Sequence, residues 1–319
     1  MLSGLIWPRW LPLIWQIRRI ALKEKIEMLQ VGQVLPVGTA VYLLTRLYRG
    51  WPYIVYAHGM DITLPQRHFF KKRLVRRILA SAFKVVTVSQ FTKNQLMDFG
   101  VPEEKILMVS PGVKVFDLYE DSKLLASETL KKYDLVGKRI LLTLSRLVER
   151  KGIDTVIKAL PSVVAQFPNL IYVVAGSGSY EKSLKELVEK LKLQQHVLFT
   201  GLVTDKQKIV WYDLAEIFIM TPRQLPNNDV EGFGIVYMEA NGLGKPVIGS
   251  LSGGVSEAVI DGFNGLMVQP DNVEQTAEAI VKLLTDTALA KRLGEQGRKR
   301  AIEQFAWPIQ VAKLNEILA

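Results

Sequence analysis

The chain has 319 residues, 49% hydrophobic and 23% charged, with a formal net charge of +10. That length exceeds one ordinary domain and suits two, and the composition predicts a sizeable buried core rather than disorder. The absence of cysteine excludes disulfides and thiol catalysis, and the three histidines, His58, His68 and His196, lack the spacing of a protein-built zinc site.

The opening M-L-S-G-L-I-W-P-R-W-L-P-L-I-W-Q-I is apolar but broken by Pro8, Arg9 and Pro12. It lacks a charged leading region and a small-residue cleavage site, so it does not read as a signal peptide. No run of about 18 apolar residues marks a transmembrane helix. Strands are expected at 26–31, 53–57, 84–89, 105–109, 138–145, 170–175, 196–200, 216–220, 246–250 and 265–268, with helical periodicity between them, as at 153–166 and 180–191. Such alternation predicts parallel sheets with helices on both faces.

The strand at 53–57 runs into A-H-G-M-D, which contains His58. Next comes R-H-F-F-K-K-R-L-V-R-R-I-L at 67–79, where Arg67, Lys71, Lys72, Arg73, Arg76 and Arg77 interleave with Phe69, Phe70, Leu74, Ile78 and Leu79. Residues 1–120 hold 17 Lys and Arg against 8 Asp and Glu, a net +9; the other 199 residues hold 24 against 23, a net +1. A basic helix with an apolar side can lie on an anionic membrane. The plainer alternative is a solvated face whose apolar residues pack inward. No nucleic-acid-binding module is visible, so no nucleic-acid partner is expected.

Residues 113–137 break the alternation and read as a connection. Then I-L-L-T-L-S-R-L-V-E-R-K-G at 140–152 gives a buried parallel strand with Arg146 and Lys151 just past its carboxyl end, where ligands of open α/β sheets bind. Arg offers a planar fork for phosphate oxygens and Lys a point charge. V-V-A-G-S-G at 173–178 again sets glycines, Gly176 and Gly178, after a strand. The run E-G-F-G-I-V-Y-M-E spans Glu231 to Glu239. Its glycines allow close backbone approach to a ligand, and the helix amides that follow suit a phosphate. The flanking carboxylates can accept from hydroxyl groups. P-V-I-G-S-L-S-G-G-V-S-E at 246–257 repeats the strand-then-glycine theme, and the polar helical run 272–304 ends near Trp307-Pro308.

The order S-R-L-x-x-x-K-G, A-G-x-G, E-G-F-G-I-V-x-x-E and K-P-V-I-G-x-x-x-G-G-x-x-E resembles the carboxyl half of the retaining nucleotide-sugar glycosyltransferases of family 4, which share the GT-B fold. Asp229-Val230 before Glu231 looks most like bacterial mannosyltransferases acting on lipid acceptors. The resemblance implies an α/β architecture of two Rossmann-like doubly wound domains facing a cleft. It implies an acceptor-side domain at 1–115, a linker at 116–137, a donor-binding domain at 138–305 and a final helix at 306–319 crossing back to the first domain. Such enzymes usually begin with a strand and a glycine-rich loop, whereas this chain starts in a Trp-Pro-rich segment. An incomplete first domain is therefore expected, with a non-catalytic nucleotide-sugar-binding remnant as the alternative function.

By the same resemblance the reaction is transfer of a hexose, mannose or glucose, from a nucleoside-diphosphate sugar to a hydroxyl of a lipid-linked or glycan acceptor. It proceeds with retained configuration and no cofactor or metal, at the inner face of the cell membrane. His58, Arg146, Lys151 and Glu231 would be catalytic. Gly176, Gly178, Val203, Gly232, Phe233, Gly234, Ile235 and Glu239 would bind the donor, Glu239 at the ribose. A glycosidase pair does not fit. Carboxylates eight residues apart across a loop and helix lie about two helical turns apart, roughly 11–12 Å, beyond either hydrolytic geometry.

Overall fold

The computed structural model describes residues 11–48, 50–114 and 120–318. Residues 1–10, most of the segment weighed as a signal peptide, lie outside it, as do 115–119 near the start of the expected linker and the side chain of Arg67. The chain forms two compact bodies, one made of Met1–Ser110 with Leu225–Gly232, the other of Pro111–Gln224 with Phe233–Ala319.

The first body holds helices α1 (Pro12–Lys23), α2 (Val37–Tyr48), α3 (Met60–Thr63), α4 (Phe69–Ser81) and α5 (Gln90–Asp98) around four parallel strands. These are β1 (Leu29–Val31), β2 (Tyr53–Ala57), β3 (Lys84–Thr87) and β4 (Ile106–Met108), adjacent in that order. Val31 pairs with Val55, Val55 with Val85 and Val85 with Ile106. β-branched residues in register give the sheet a surface against which Val41, Ile78, Leu79 and Leu96 pack.

The second body starts with helix α6 (Glu120–Lys132) and contains a six-stranded parallel sheet. Its strands are β5 (Arg139–Leu144), β6 (Leu170–Ala175), β7 (Val197–Gly201), β8 (Ile217–Ile219), β9 (Val247–Ser250) and β10 (Gly265–Val268). Helices α7 (Ile153–Val164), α8 (Glu181–Lys190), α9 (Asp205–Leu214), α10 (Ile235–Gly242), α11 (Val255–Ala258) and α12 (Val273–Thr285) alternate with them, and α13 (Thr287–Phe305) and α14 (Trp307–Leu318) close the chain. The spatial order β10-β9-β8-β5-β6-β7 reverses direction at β5. Both sheet faces are covered, which is why β5 and β6 read as nearly continuous apolar runs. Two Rossmann-like parallel α/β bodies are thus present, and every expected strand is found.

Residues expected as linker are largely folded. Ala126 and Thr129, three apart, turn one side of α6 inward, and just past its end the half-buried Tyr133 ring lies 5.6 Å from that of Trp211 on α9. The single run expected over 272–304 is two helices, because the Asp286 carboxylate accepts from the Leu289 amide at 2.8 Å and starts α13. The last helix belongs to the second body, tied to α13 by the Gln310 amide donating to the Gln304 carbonyl. Among the described residues no helix is long and apolar enough to cross a membrane.

Candidate active site

β5 and β8 are neighbours in the second body but lead to opposite ends of its sheet. Such a switch point opens a crevice at the strands' carboxyl ends. The loop after β5 carries Arg146, exposed, and Lys151, only 8% exposed in a short 3-10 turn at Glu149–Lys151. Gly152 then adopts φ +68° and ψ 21° at the start of α7. A Cβ on Gly152 would lie 1.8 Å from the Thr221 carbonyl oxygen, just beyond β8, and the Thr221 hydroxyl donates to the Gly152 carbonyl at 2.9 Å. The two switch-point loops are therefore locked backbone to backbone, and only glycine fits.

A third loop is fastened to the same edge. The Leu147 amide donates to the Ser177 carbonyl at 2.9 Å, and Cβ atoms on Gly176 and Gly178 would fall 1.9 and 2.2 Å from the carbonyl oxygens of Ser145 and Leu147. Packing of loop on loop thus accounts for these glycines, which the sequence associates with donor contact. Val203, half-buried, follows β7. At β9 the Ser252 hydroxyl is buried with no hydrogen-bond partner among the described residues.

Arg223, after β8, binds Asp154 on α7 and reaches Asp271 at 2.7 Å, while Lys158 reaches Asp154 at 2.9 Å. This charged network braces the strand-end loops and was not legible in the sequence, because its members lie 69 and 48 positions apart.

Gly234 takes a left-handed conformation and starts α10. Ile235 opens the helix, half-buried, where the first amides lack intrahelical acceptors and favour an anion. Phe233 is 3% exposed with its ring 5.6 Å from that of Phe305. Its side chain is part of the core. On the second turn of α10, Glu239 accepts from Lys208 at 2.7 Å and from the Tyr212 hydroxyl at 2.8 Å. Lys208 and Tyr212 are four apart on one side of α9, so their helix fixes the carboxylate. Burial, then the Glu239 charge, pushes the Tyr212 hydroxyl well above its ordinary range.

In the first body His58 is exposed directly after β2, and its backbone amide donates to an Asp61 carboxylate oxygen at 2.9 Å. Burial raises the Asp61 pKa, opposed by the nearby His58 and by amides of the same turn. The Leu225–Gly232 segment packs here: a Cβ on Gly232 would fall 2.3 Å from the His58 carbonyl oxygen. The fold thus brings Gly232, and with it the buried Glu231, beside the His58 backbone.

On α4, Lys71, Arg73, Arg76 and Arg77 are exposed and Lys72 is half-buried; the Arg76 Nε donates to the Phe99 carbonyl at 3.0 Å. The apolar residues of this helix divide. Val75, Ile78 and Leu79 are core, whereas Phe69 and Phe70 are 72% and 84% exposed.

Another cavity, about 430 Å³, lies at the amino-terminal edge of the second sheet. Two of its cations are already held by neighbours, Arg139 by Glu216 at 2.7 Å and Lys245 by the Asp213 carbonyl at 2.6 Å. It lies at the wrong end of the strands for the switch-point site. Among the described residues, no group of three His, Asp or Glu is placed to hold a metal ion.

The family model of glycosyl transferases group 1 matches residues 127–300, and that of Glycosyltransferase Family 4 matches residues 2–115. The chain is 31% identical over 307 residues to a GDP-mannose-dependent alpha-(1-6)-phosphatidylinositol monomannoside mannosyltransferase of Mycobacterium tuberculosis, covering 95% of this chain and 78% of that protein. It is 26% identical over 297 residues to N-acetyl-alpha-D-glucosaminyl L-malate synthase of Bacillus anthracis, covering 92% and 75%. Anabaena HepE in complex with UDP-glucose shares the fold with a TM-score of 0.83 at 21% identity, over 96% of this chain and 82% of that one. Sucrose-phosphate synthase from Thermosynechococcus elongatus does so at 0.80 and 22% identity, over 97% and 77%. The switch-point loops, the glycine-rich entry to α10 and both family matches lead to one conclusion: the chain belongs to the glycosyl transferases of group 1, with a GT-B architecture.

Proposed function

We propose that this protein transfers a hexose, mannose from GDP-mannose foremost, to a hydroxyl of a lipid-linked or glycan acceptor, with retained anomeric configuration and without a metal. The observation that carries the reading is the pairing of Arg146 and buried Lys151 at the switch point of the second sheet. In the reaction the bond from sugar C1 to the diphosphate oxygen breaks, the acceptor hydroxyl oxygen forms the new bond to C1 on the same face, and the hydroxyl proton passes to the departing diphosphate oxygen. Negative charge grows on the leaving diphosphate, and fixed charges and amides aimed at it lower the barrier. Arg146, Lys151 and the first amides of α10 supply them. Glu231 holds sugar hydroxyls, Glu239 the ribose, and His58 acts at the reaction centre. Val203, Gly232 and Ile235 contribute to the donor surface.

The deciding experiment is a turnover screen across GDP-mannose, UDP-glucose, UDP-galactose and UDP-N-acetylglucosamine with a phospholipid acceptor, with product configuration read by NMR. Release of nucleotide from none of them rules the reading out. Excess EDTA is expected to leave the rate unchanged, since cationic side chains neutralise the diphosphate. Abolition by EDTA and recovery with Mg²⁺ or Mn²⁺ would contradict that.

The carboxylates should separate by variant. Glu239→Gln is expected to weaken binding of free nucleoside diphosphate, both through the ribose and because Lys208 loses its counter-charge. Glu231→Gln is expected to cut turnover while sparing nucleotide affinity. Calorimetric titration checks this, and equal losses would reject the division.

The +9 excess of residues 1–120 and the exposed Phe69 and Phe70 support peripheral attachment to the anionic inner face of the cell membrane. Each basic residue near such a surface adds about 1 kcal/mol, so Lys72→Gln, Arg73→Gln and Arg77→Gln together should weaken vesicle binding roughly 100-fold. Raising salt should act alike, as the Debye length falls from about 10 Å at 0.1 M to about 3 Å at 1 M. Sedimentation equal on neutral and anionic vesicles and insensitive to salt would leave α4 a solvated face.

A further inference from the structure

The reading above leaves one cavity of the first body without a role. It measures about 340 Å³ and is lined by Leu35, Leu64, Pro65, His68, Lys71 and Asn227. That is within the size range of small-ligand pockets, about 300–1,000 Å³. Its two sides differ in chemistry. Leu35, Leu64 and Pro65 form an apolar wall. His68 and Lys71 form a polar rim, both exposed, and neither side chain is engaged by another described residue. Asn227 adds an amide from the segment that also places Glu231.

The position on α4 narrows the ligand. Phe69 and Phe70 follow His68 directly, 72% and 84% exposed, with ring centroids 5.7 Å apart in an edge-to-face pair. Two adjacent phenyl rings in water, beside an uncommitted ammonium and imidazole, match a ligand with an anionic head and an apolar tail. Lys binds phosphate as a point charge, imidazole can donate a hydrogen bond, and aromatic rings settle at the boundary between headgroups and hydrocarbon. A nucleotide does not meet this description, because it has no apolar tail to place against the rings.

We propose that this cavity holds the phosphodiester of a glycerophospholipid acceptor, with His68 and Lys71 donating to its phosphate oxygens and Phe69 and Phe70 entering the acyl layer. The proposal rests on the transfer reading only for calling the lipid an acceptor. It divides the basic helix in two: Lys71 at the pocket reads one phosphate, while Arg73 and Arg77 meet the general field of the bilayer.

The test uses the full chain and dihexanoyl phosphatidylglycerol below its micelle concentration, with binding measured by calorimetry at fixed salt. Saturable binding is expected, at least tenfold weaker in the double variant His68→Gln/Lys71→Gln. Leu64→Trp, which fills the cavity from its apolar wall and leaves both cations in place, should weaken binding as well. Undiminished binding by both variants overturns the proposal. Displacement of the lipid by an equal concentration of inorganic phosphate also overturns it, since the pocket would then be a free-phosphate site. Turnover of the four nucleotide sugars by the unmodified chain, with the phospholipid acceptor present, is followed in parallel. Lipid binding lost by the variants in a chain that releases nucleotide from none of them supports the pocket while refuting transfer.

Discussion

Replacing Lys151 by alanine is expected to lower turnover at saturating donor by about 10²–10³-fold, or about 2.7–4 kcal/mol, the effect of removing one donor aimed at developing charge. The side chain is 8% exposed at the carboxyl end of β5, so little water screens it and no solvent ion can replace it cheaply. Arg146→Ala should act in the same direction but less strongly, because Arg146 is exposed. Lys151→Met keeps most of the buried volume and isolates the charge from packing. Single-turnover kinetics with a melting curve for each variant make the comparison. Wild-type turnover in both alanine variants would remove the diphosphate from this loop.

Gly152→Ala is expected to destabilise the second body by about 2–5 kcal/mol. A left-handed backbone costs a non-glycine residue about 1–2 kcal/mol, and overpacking adds about 1–3 kcal/mol. Both apply, since φ is +68° and the new Cβ would meet the Thr221 carbonyl at 1.8 Å. Relief requires the β5 and β8 loops to part, which also moves Lys151. Denaturant titration gives the stability change; a variant as stable as the parent would show that the switch-point loops are not locked.

The strands were legible because buried parallel strands leave continuous apolar runs, as in I-L-L-T-L and L-I-Y-V-V-A. The candidate site was legible only where it is local: Arg146 and Lys151 on one loop, Glu231 and Glu239 on one motif. Long-range partners left no trace. Lys208 and Tyr212 reach Glu239 from 31 and 27 positions away. Phe233 lies in a glycine-rich motif that suggests ligand contact, yet its ring is core. The basic helix was half legible, because its spacing does not say which phenyl or leucyl side chains turn inward. Ile78 and Leu79 do, and Phe69 and Phe70 do not.

The return of Leu225–Gly232 to the first body also bears on how the polypeptide is made. The Gly232 backbone abuts the His58 carbonyl, so the His58 turn lacks one wall until residue 232 has been synthesised. At about 5–20 residues per second the ribosome needs roughly 6–24 s to advance from residue 110 to residue 232. Throughout that interval the His58 turn stays open on one side while the nascent chain is still feeding the later sheet. A ribosome stalled near residue 224 should therefore present the His58 turn to a protease more openly than one stalled past residue 240 and its exit tunnel.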